Sequence, residues 1–504
     1  MLTYIENLCS IQKERIALEV NISRRDVWFL IVCLGLGFLA EYSFLHGIVG
    51  VSYPIFLAGF YIVVFLRFKY SFHHRRIGLL LMVCIWILSA NFLFYDISFL
   101  HGLNILLIPA LVFAHLVLIT SSTPIQWGKP KFLIILLNRL VEAYQYIFLF
   151  IKTLVARFFA GRRKKSHQTF AKILLGILIA GPVLFVVILL LMSADTMFEN
   201  LIMQLPDFML SINIELLFRS FIILFVGFLF FGVFQVLGHK PRMDLASSPG
   251  KFNFSDISAI TILILLNIVY IVFVTLQFTY FFNGNLMEGY TYAEYARRGF
   301  FELLIVLIIN WTILISFLKF VHSKQRILKI TFQSLSSLLI GMSGIMLVSA
   351  FMRLMMYEEA YGFTLSRVLA HGFMIYLIVI FAYTFIRIWL EKLPLLHFYV
   401  IVGIVFYAGI NGMNLEQFIV NKNIERYEET GKIDVHYLRD LSAIGMIELI
   451  ALYEKDPEIE DLEYVIISEQ EYVKDVGKRP WQSYNFARER MEKELRQFKV
   501  RGDY

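Results

Sequence analysis

The feature that most limits this chain is a series of continuous apolar runs, each about twenty residues long, separated by short and mostly basic loops. A helix of about 20 residues crosses the roughly 30 Å hydrocarbon layer of a bilayer. In lipid every backbone polar group must find its partner within the protein, which leaves only helices and closed barrels as spanning structures. The runs do not alternate between apolar and polar residues, so the barrel is excluded. Composition agrees: 59% of the 504 residues are hydrophobic and 17% charged, against about 45–50% and 25% in soluble domains. The expected fold is an all-α, polytopic helical membrane protein.

Spans are expected near 27–46, 51–67, 77–95, 101–120, 170–193, 214–238, 256–282, 300–320, 329–352, 365–390 and 394–412. Lys and Arg in short loops set orientation. Lys13, Arg15, Arg24 and Arg25 place the N-terminus, residues 1–26, in the cytoplasm. The loops "RFKYSFHHRR" (67–76), "GRRKKSHQ" (161–168), "GHKPR" (238–242), "HSKQRILK" (322–329) and "RIWLEK" (387–392) then all fall on the same side. No removable signal peptide is visible, and the first span is expected to serve as the insertion signal. The cysteines Cys9, Cys33 and Cys84 offer no disulfide framework or thiolate site.

Between the first four spans (27–130) and the seven-span core (170–412) lies 131–169. Both flanks of 131–160 are basic, and Asn138, Glu142, Gln145, Lys152 and Arg157 recur at roughly helical spacing opposite Leu, Ile and Phe. It reads as an amphipathic helix in the cytoplasmic interface; the alternative is a poorly hydrophobic further span. Eleven spans put the tail, 413–504, outside. It carries 14 Lys and Arg against 20 Asp and Glu, a net charge of −6, while the rest of the chain is at +13. Asp434 and Ser442 are suited to cap helices there, and a small helical appendage on the outer face is expected.

That topology gathers mixed-sign loops on the outside: Asp195 and Glu199 after the fifth span, "EGYTYAEYARRGFFELL" (288–304) with Arg298 and Glu302, and "MRLMMYEEAYGFTLSR" (352–367). If the ninth span stays helical to Tyr361, then Arg353, Tyr357 and Tyr361 share a face at i, i+4 and i+8. Gly362 suits a helix end and Thr364 an N-cap, and Arg367 and His371 then share a face of the tenth span. Ionisable residues within spans normally face partners or water. The candidate ligand-binding set is Arg353, Tyr357, Tyr361, Arg367, His371, Arg298, Glu302 and Asp195, lining an outward vestibule floored by Glu302, Asn310 and His371. Its arginines suit an anion, whose carboxylate or phosphate guanidinium grips with two donors. The other reading is an ion-pair network and interface tyrosines that only fix the loops.

The blocks "TYAEYARRGFFELL" (291–304), "SAD" (193–195) with Phe198, "YEEAYGFTLSR" (357–367) and "NIERYEETGKIDVHYLRDLS" (423–442) resemble a bacterial multi-pass membrane family. It is catalogued as a domain of unknown function, the four-one-seven-three and four-one-five-three group. The resemblance runs from the fifth span into the tail and implies a multi-pass bacterial membrane protein without an assigned activity.

There is no Gly-rich phosphate loop, paired-histidine zinc helix or Gly-x-Ser-x-Gly elbow. No cofactor or metal is expected, no catalytic residue is assigned and no nucleic-acid module is visible. The residues favour a ligand-sensing or partner-docking module of the cell envelope, in contact with membrane lipids and with an anionic ligand or an envelope protein. The alternatives are a transporter or flippase of a small anion or lipid, and an enzyme on a lipid-linked substrate with Glu302 or His371 as base.

Overall fold

The computed structural model describes residues 23–68, 73–121, 125–159, 214–238, 254–281, 299–321 and 325–499, with isolated positions between 176 and 198. The expected span at 170–193 therefore lies largely outside the described residues. In chain order the helices are α1 (Arg24–Phe44), α2 (Ser52–Phe68), α3 (Arg75–Phe94), α4 (Ser98–Thr120), α5 (Lys131–Phe159), α6 (Ile214–Leu237), α7 (Asp256–Phe281) and α8 (Phe300–Phe320). They continue as α9 (Arg326–Tyr361), α10 (Leu365–Trp389), α11 (Leu395–Gly412), α12 (Leu415–Thr430), α13 (Val435–Leu441), α14 (Ala443–Lys455), α15 (Leu462–Val476) and α16 (Phe486–Gln497), with a 3-10 turn at Trp481–Ser483. No strand occurs among the described residues.

Ten of these helices are long and apolar enough to cross a membrane, and α2 is a shorter apolar helix. All ten other expected spans coincide with helices. By length and composition Lys131–Leu154 also qualifies as a span, as the alternative reading of that stretch requires. The longest helix among the described residues, α9, has 36 residues, about 54 Å at 1.5 Å per residue. That exceeds the hydrocarbon thickness, so the Arg353–Tyr361 end can be polar without being lipid-buried.

The chain divides into two compact units. The first comprises 1–82, 109–241 and 479–484. Here α6 packs on α1 and α5 through small residues. A methyl group on Gly227 would lie 3.0 Å from the Leu34 Cα, and one on Gly232 would lie 3.0 Å from the Ala143 carbonyl oxygen. Such backbone approach is the usual basis of helix association in lipid, where no hydrophobic force separates protein from solvent. Phe230 and Phe234 stack beside this crossing, and the Phe60 ring packs tilted against both. The tail segment Pro480–Tyr484 belongs to this unit. Gln482 Nε2 donates to the Tyr42 carbonyl at 3.1 Å, and the Val51 N–H donates to the Tyr484 carbonyl at 2.9 Å.

The second unit comprises 83–108, 242–478 and 485–504. Its spans α7, α8, α9 and α10 bury Leu263, Leu307, Leu339, Ala350, Met374 and Leu377. Uncharged polar pairs fix their register. Tyr270 Oη donates to Asn310 Oδ1 at 2.8 Å, and Asn310 Nδ2 donates to Ser343 Oγ at 2.9 Å. Asn104 Nδ2 of α4 donates to Asn411 Oδ1 of α11 at 2.7 Å. In the tail, Asp434 caps α13 through the Tyr437 N–H at 2.9 Å and Ser442 caps α14 through the Gly445 N–H at 3.4 Å. The tail helices have their own core, with Ile419, Val420, Leu462, Val465, Ile466 and Leu495 fully enclosed. At about 1.5–3 kcal/mol per buried side chain, that core outweighs surface pairs such as Lys422–Glu425, which contribute at most about 1 kcal/mol.

Candidate functional site

The turn between α9 and α10 forms because α9 runs to Tyr361 and stops at Gly362, whose φ of 81° and ψ of 176° suit only glycine. The Arg367 guanidinium then lies 4.1 Å over the Tyr357 ring and donates to the Gly362 carbonyl oxygen. The Tyr361 ring lies tilted against that of Tyr357, with ring centroids 5.0 Å apart. One turn deeper, His371 Nε2 meets Glu358 Oε2 at 2.8 Å, with the carboxylate almost fully buried. Thr364 occupies the N-cap position of α10, but its hydroxyl pairs with Ser366 instead of a backbone N–H.

Of the eight expected ligand-binding residues, the structure brings four together here: Tyr357, Tyr361, Arg367 and His371. Arg353 is buried on α9, and its guanidinium fills the space a side chain at Gly299 would take, with Nη1 2.8 Å from that methyl position. Glu302 is exposed on α8, whereas Asn310 is enclosed and committed to Tyr270 and Ser343. Arg298 lies outside the described residues. Asp195 belongs to the first unit, where its Oδ1 accepts from the N–H groups of Met197 and Phe198 at 2.7 and 3.0 Å as a local helix cap.

The tail grips this turn through its backbone. Asn423 Nδ2 donates to the Phe363 carbonyl at 2.9 Å, while its Oδ1 accepts from the Phe363 N–H at 3.1 Å. Arg426 donates to the carbonyls of Glu359 and Ala360 at 3.1 and 2.7 Å. The Leu365 N–H donates to Tyr437 Oη at 2.7 Å, and burial of that phenol holds its pKa above the ordinary value. Replacing Asn423 by Ala strands both backbone groups of Phe363. The expected cost is about 1–3 kcal/mol of local stability, read as faster amide exchange at Phe363 while the α15 core stays protected.

A second polar cluster in the same unit escapes reading from sequence. Asp96, in the turn between α3 and α4, receives Arg488 of α16 through both Nε, at 3.3 Å from Oδ2, and Nη2, against Oδ1. Glu416 of α12 is fully enclosed, and its Oε1 accepts from the Asp96 N–H at 2.5 Å. Beside them Asn485 Nδ2 donates to the carbonyls of Phe92 and Tyr95 at 2.9 and 2.7 Å. Burial pushes the Glu416 carboxyl up to about 7; the Asp96 charge adds to the rise, while the Asp96 N–H, the Ser442 hydroxyl and the Arg488 charge oppose it. One cue was present: Leu415, Glu416, Ile419, Val420 and Asn423 recur at helical spacing on the face that α12 buries, so Glu416 occupies a core position.

Chemically, this end of the second unit is a set of clamps made of charge-assisted and backbone hydrogen bonds. Among the described residues no group of three or more His, Cys, Asp or Glu could hold a metal ion. The apolar helices, their uncharged interior pairs and the clamped helical tail define a multi-pass α-helical membrane protein. The chain belongs to the family described as Domain of unknown function (DUF4153), which matches residues 82–452. No curated protein and no solved structure matches it.

Proposed function

We propose that this protein is a partner-docking module of the bacterial cytoplasmic membrane, with its N-terminus inside and its helical tail displayed in the cell envelope. The observation that carries this reading is the attachment of the tail by Asn423, Arg426 and Tyr437 to the backbone of the α9–α10 turn. A tail held at that density of bonds is a rigid platform and not a tether. Its surface is acidic and carries Tyr464 and Tyr472, 69% and 52% exposed on α15, a pattern suited to a partner with basic and aromatic groups. Within the same reading, Tyr357, Arg367 and the Glu358–His371 pair transmit the state of the turn to the spans, and an anion displacing Arg367 from Gly362 would be sensed there. Transport is less favoured because interior polar residues such as Asn310 are consumed in helix-to-helix bonds.

The test places a photo-crosslinking residue at Tyr464 or Tyr472 in native membranes. A discrete adduct that disappears when the crosslinker is moved to buried Val465 supports docking on this face. Absence of an adduct at either tyrosine, with the protein folded and inserted, overturns it.

A further inference from the structure

The junction of tail and spans holds two carboxylates, Asp96 and Glu416, against one guanidinium, Arg488. Arg488 makes two contacts to Asp96, and Glu416 makes no ion pair among the described residues. Among the described groups that act on it, Arg488 carries the positive charge. Tyr95 adjoins Glu416 from the α3–α4 turn, Ser442 from the start of α14, and His101 of α4 lies near Asp96. Glu448 of α14 accepts from the Gln417 amide at 3.1 Å. Full ionisation therefore leaves one uncompensated negative charge in an enclosed site, and such a charge is strongly unfavourable unless it is neutralised. A proton on Glu416 removes that charge and keeps Oε1 as acceptor for the Asp96 N–H.

We propose that Asp96, Glu416 and Arg488 form a proton-operated latch, which holds the starts of α12 and α16 on the α3–α4 turn while Glu416 is protonated and loosens when the proton leaves. The latch stands on the geometry of this junction alone, whatever partner the tail meets. Its direction follows from linkage. A carboxyl held at about 7 when docked, against 4.5 ordinarily, binds its proton more tightly in the docked state. Docking is then strongest below the ordinary value, weakens as pH rises from there towards 7, and levels off above.

The experiment is hydrogen exchange on the full-length protein in lipid nanodiscs between pH 5 and 8, with protection factors corrected for intrinsic exchange. Peptides covering Leu415–Thr430 and Phe486–Gln497 are expected to lose about tenfold to a hundredfold protection across that range. Glu416→Gln, neutral at every pH, is expected to hold the acid-side protection throughout. Asp96→Asn leaves the guanidinium to Glu416 and is expected to move the step to lower pH. Wild-type protection that is flat from pH 5 to 8 overturns the latch without any variant, and so does a step that survives in Glu416→Gln.

Discussion

Replacing Arg488 by Ala is expected to detach α16 from the α3–α4 turn at neutral pH. The side chain is about nine-tenths buried and satisfies the Asp96 carboxylate with two donors. Removing one partner of a buried pair costs about 3–5 kcal/mol, because the charge left behind keeps its desolvation penalty and loses its compensation. Here the loss is compounded by Glu416, a second acid in the same enclosure. Thermal melting in detergent, together with exchange at Phe486–Gln497, reads the effect as a lower midpoint and an unprotected α16. The double substitution Asp96→Asn with Arg488→Met removes both charges and is expected to recover most of the stability. If it melts as low as Arg488→Ala, the charge argument fails.

The second large effect belongs to the α1–α6 crossing. A methyl group on Gly37 would run into the Ile223 carbonyl oxygen and lie 3.0 Å from the Gly227 nitrogen. These are backbone atoms, which cannot turn aside as a side chain does, so Gly37→Val has to separate the helices. Overpacking of this kind costs about 1–3 kcal/mol, and the backbone obstacle puts Gly37→Val at the upper end. Gly35, two residues away, has nothing within 4 Å of its methyl position. Gly35→Ala is therefore expected to leave the melting midpoint unchanged or slightly raised, since alanine is the better helix former. Equal destabilisation at both positions would show that the close crossing is not what holds these helices.

The two clusters show where local reading ends. The turn at 352–367 was legible because its determinants are adjacent: α9 extends to Tyr361, glycine follows at positive φ, and Tyr357, Tyr361, Arg367 and His371 meet within a few turns of chain. What the neighbours do to them was not legible. Arg367 is engaged by Tyr357 and the Gly362 carbonyl, and His371 by Glu358. The grip of Asn423 on Phe363 joins residues 60 positions apart. Arg353 and Glu302 share a loop side in sequence, yet one is enclosed and the other exposed. The Asp96 cluster is more remote still, since Glu416 lies 320 residues away and Arg488 392. No periodicity spans such intervals.

By itself the sequence determined the all-α membrane class, the position of nearly every described span and the caps at Asp434 and Ser442. These follow from continuous apolar length, backbone satisfaction in lipid and the local competition of short polar side chains for helix ends, all properties of neighbouring residues. Only the tertiary structure decided which ionisable groups are enclosed and which partners they meet. Enclosure depends on what other segments bring to the same place, and it is enclosure that turns Glu416 from a surface acid into a buried one poised near neutrality.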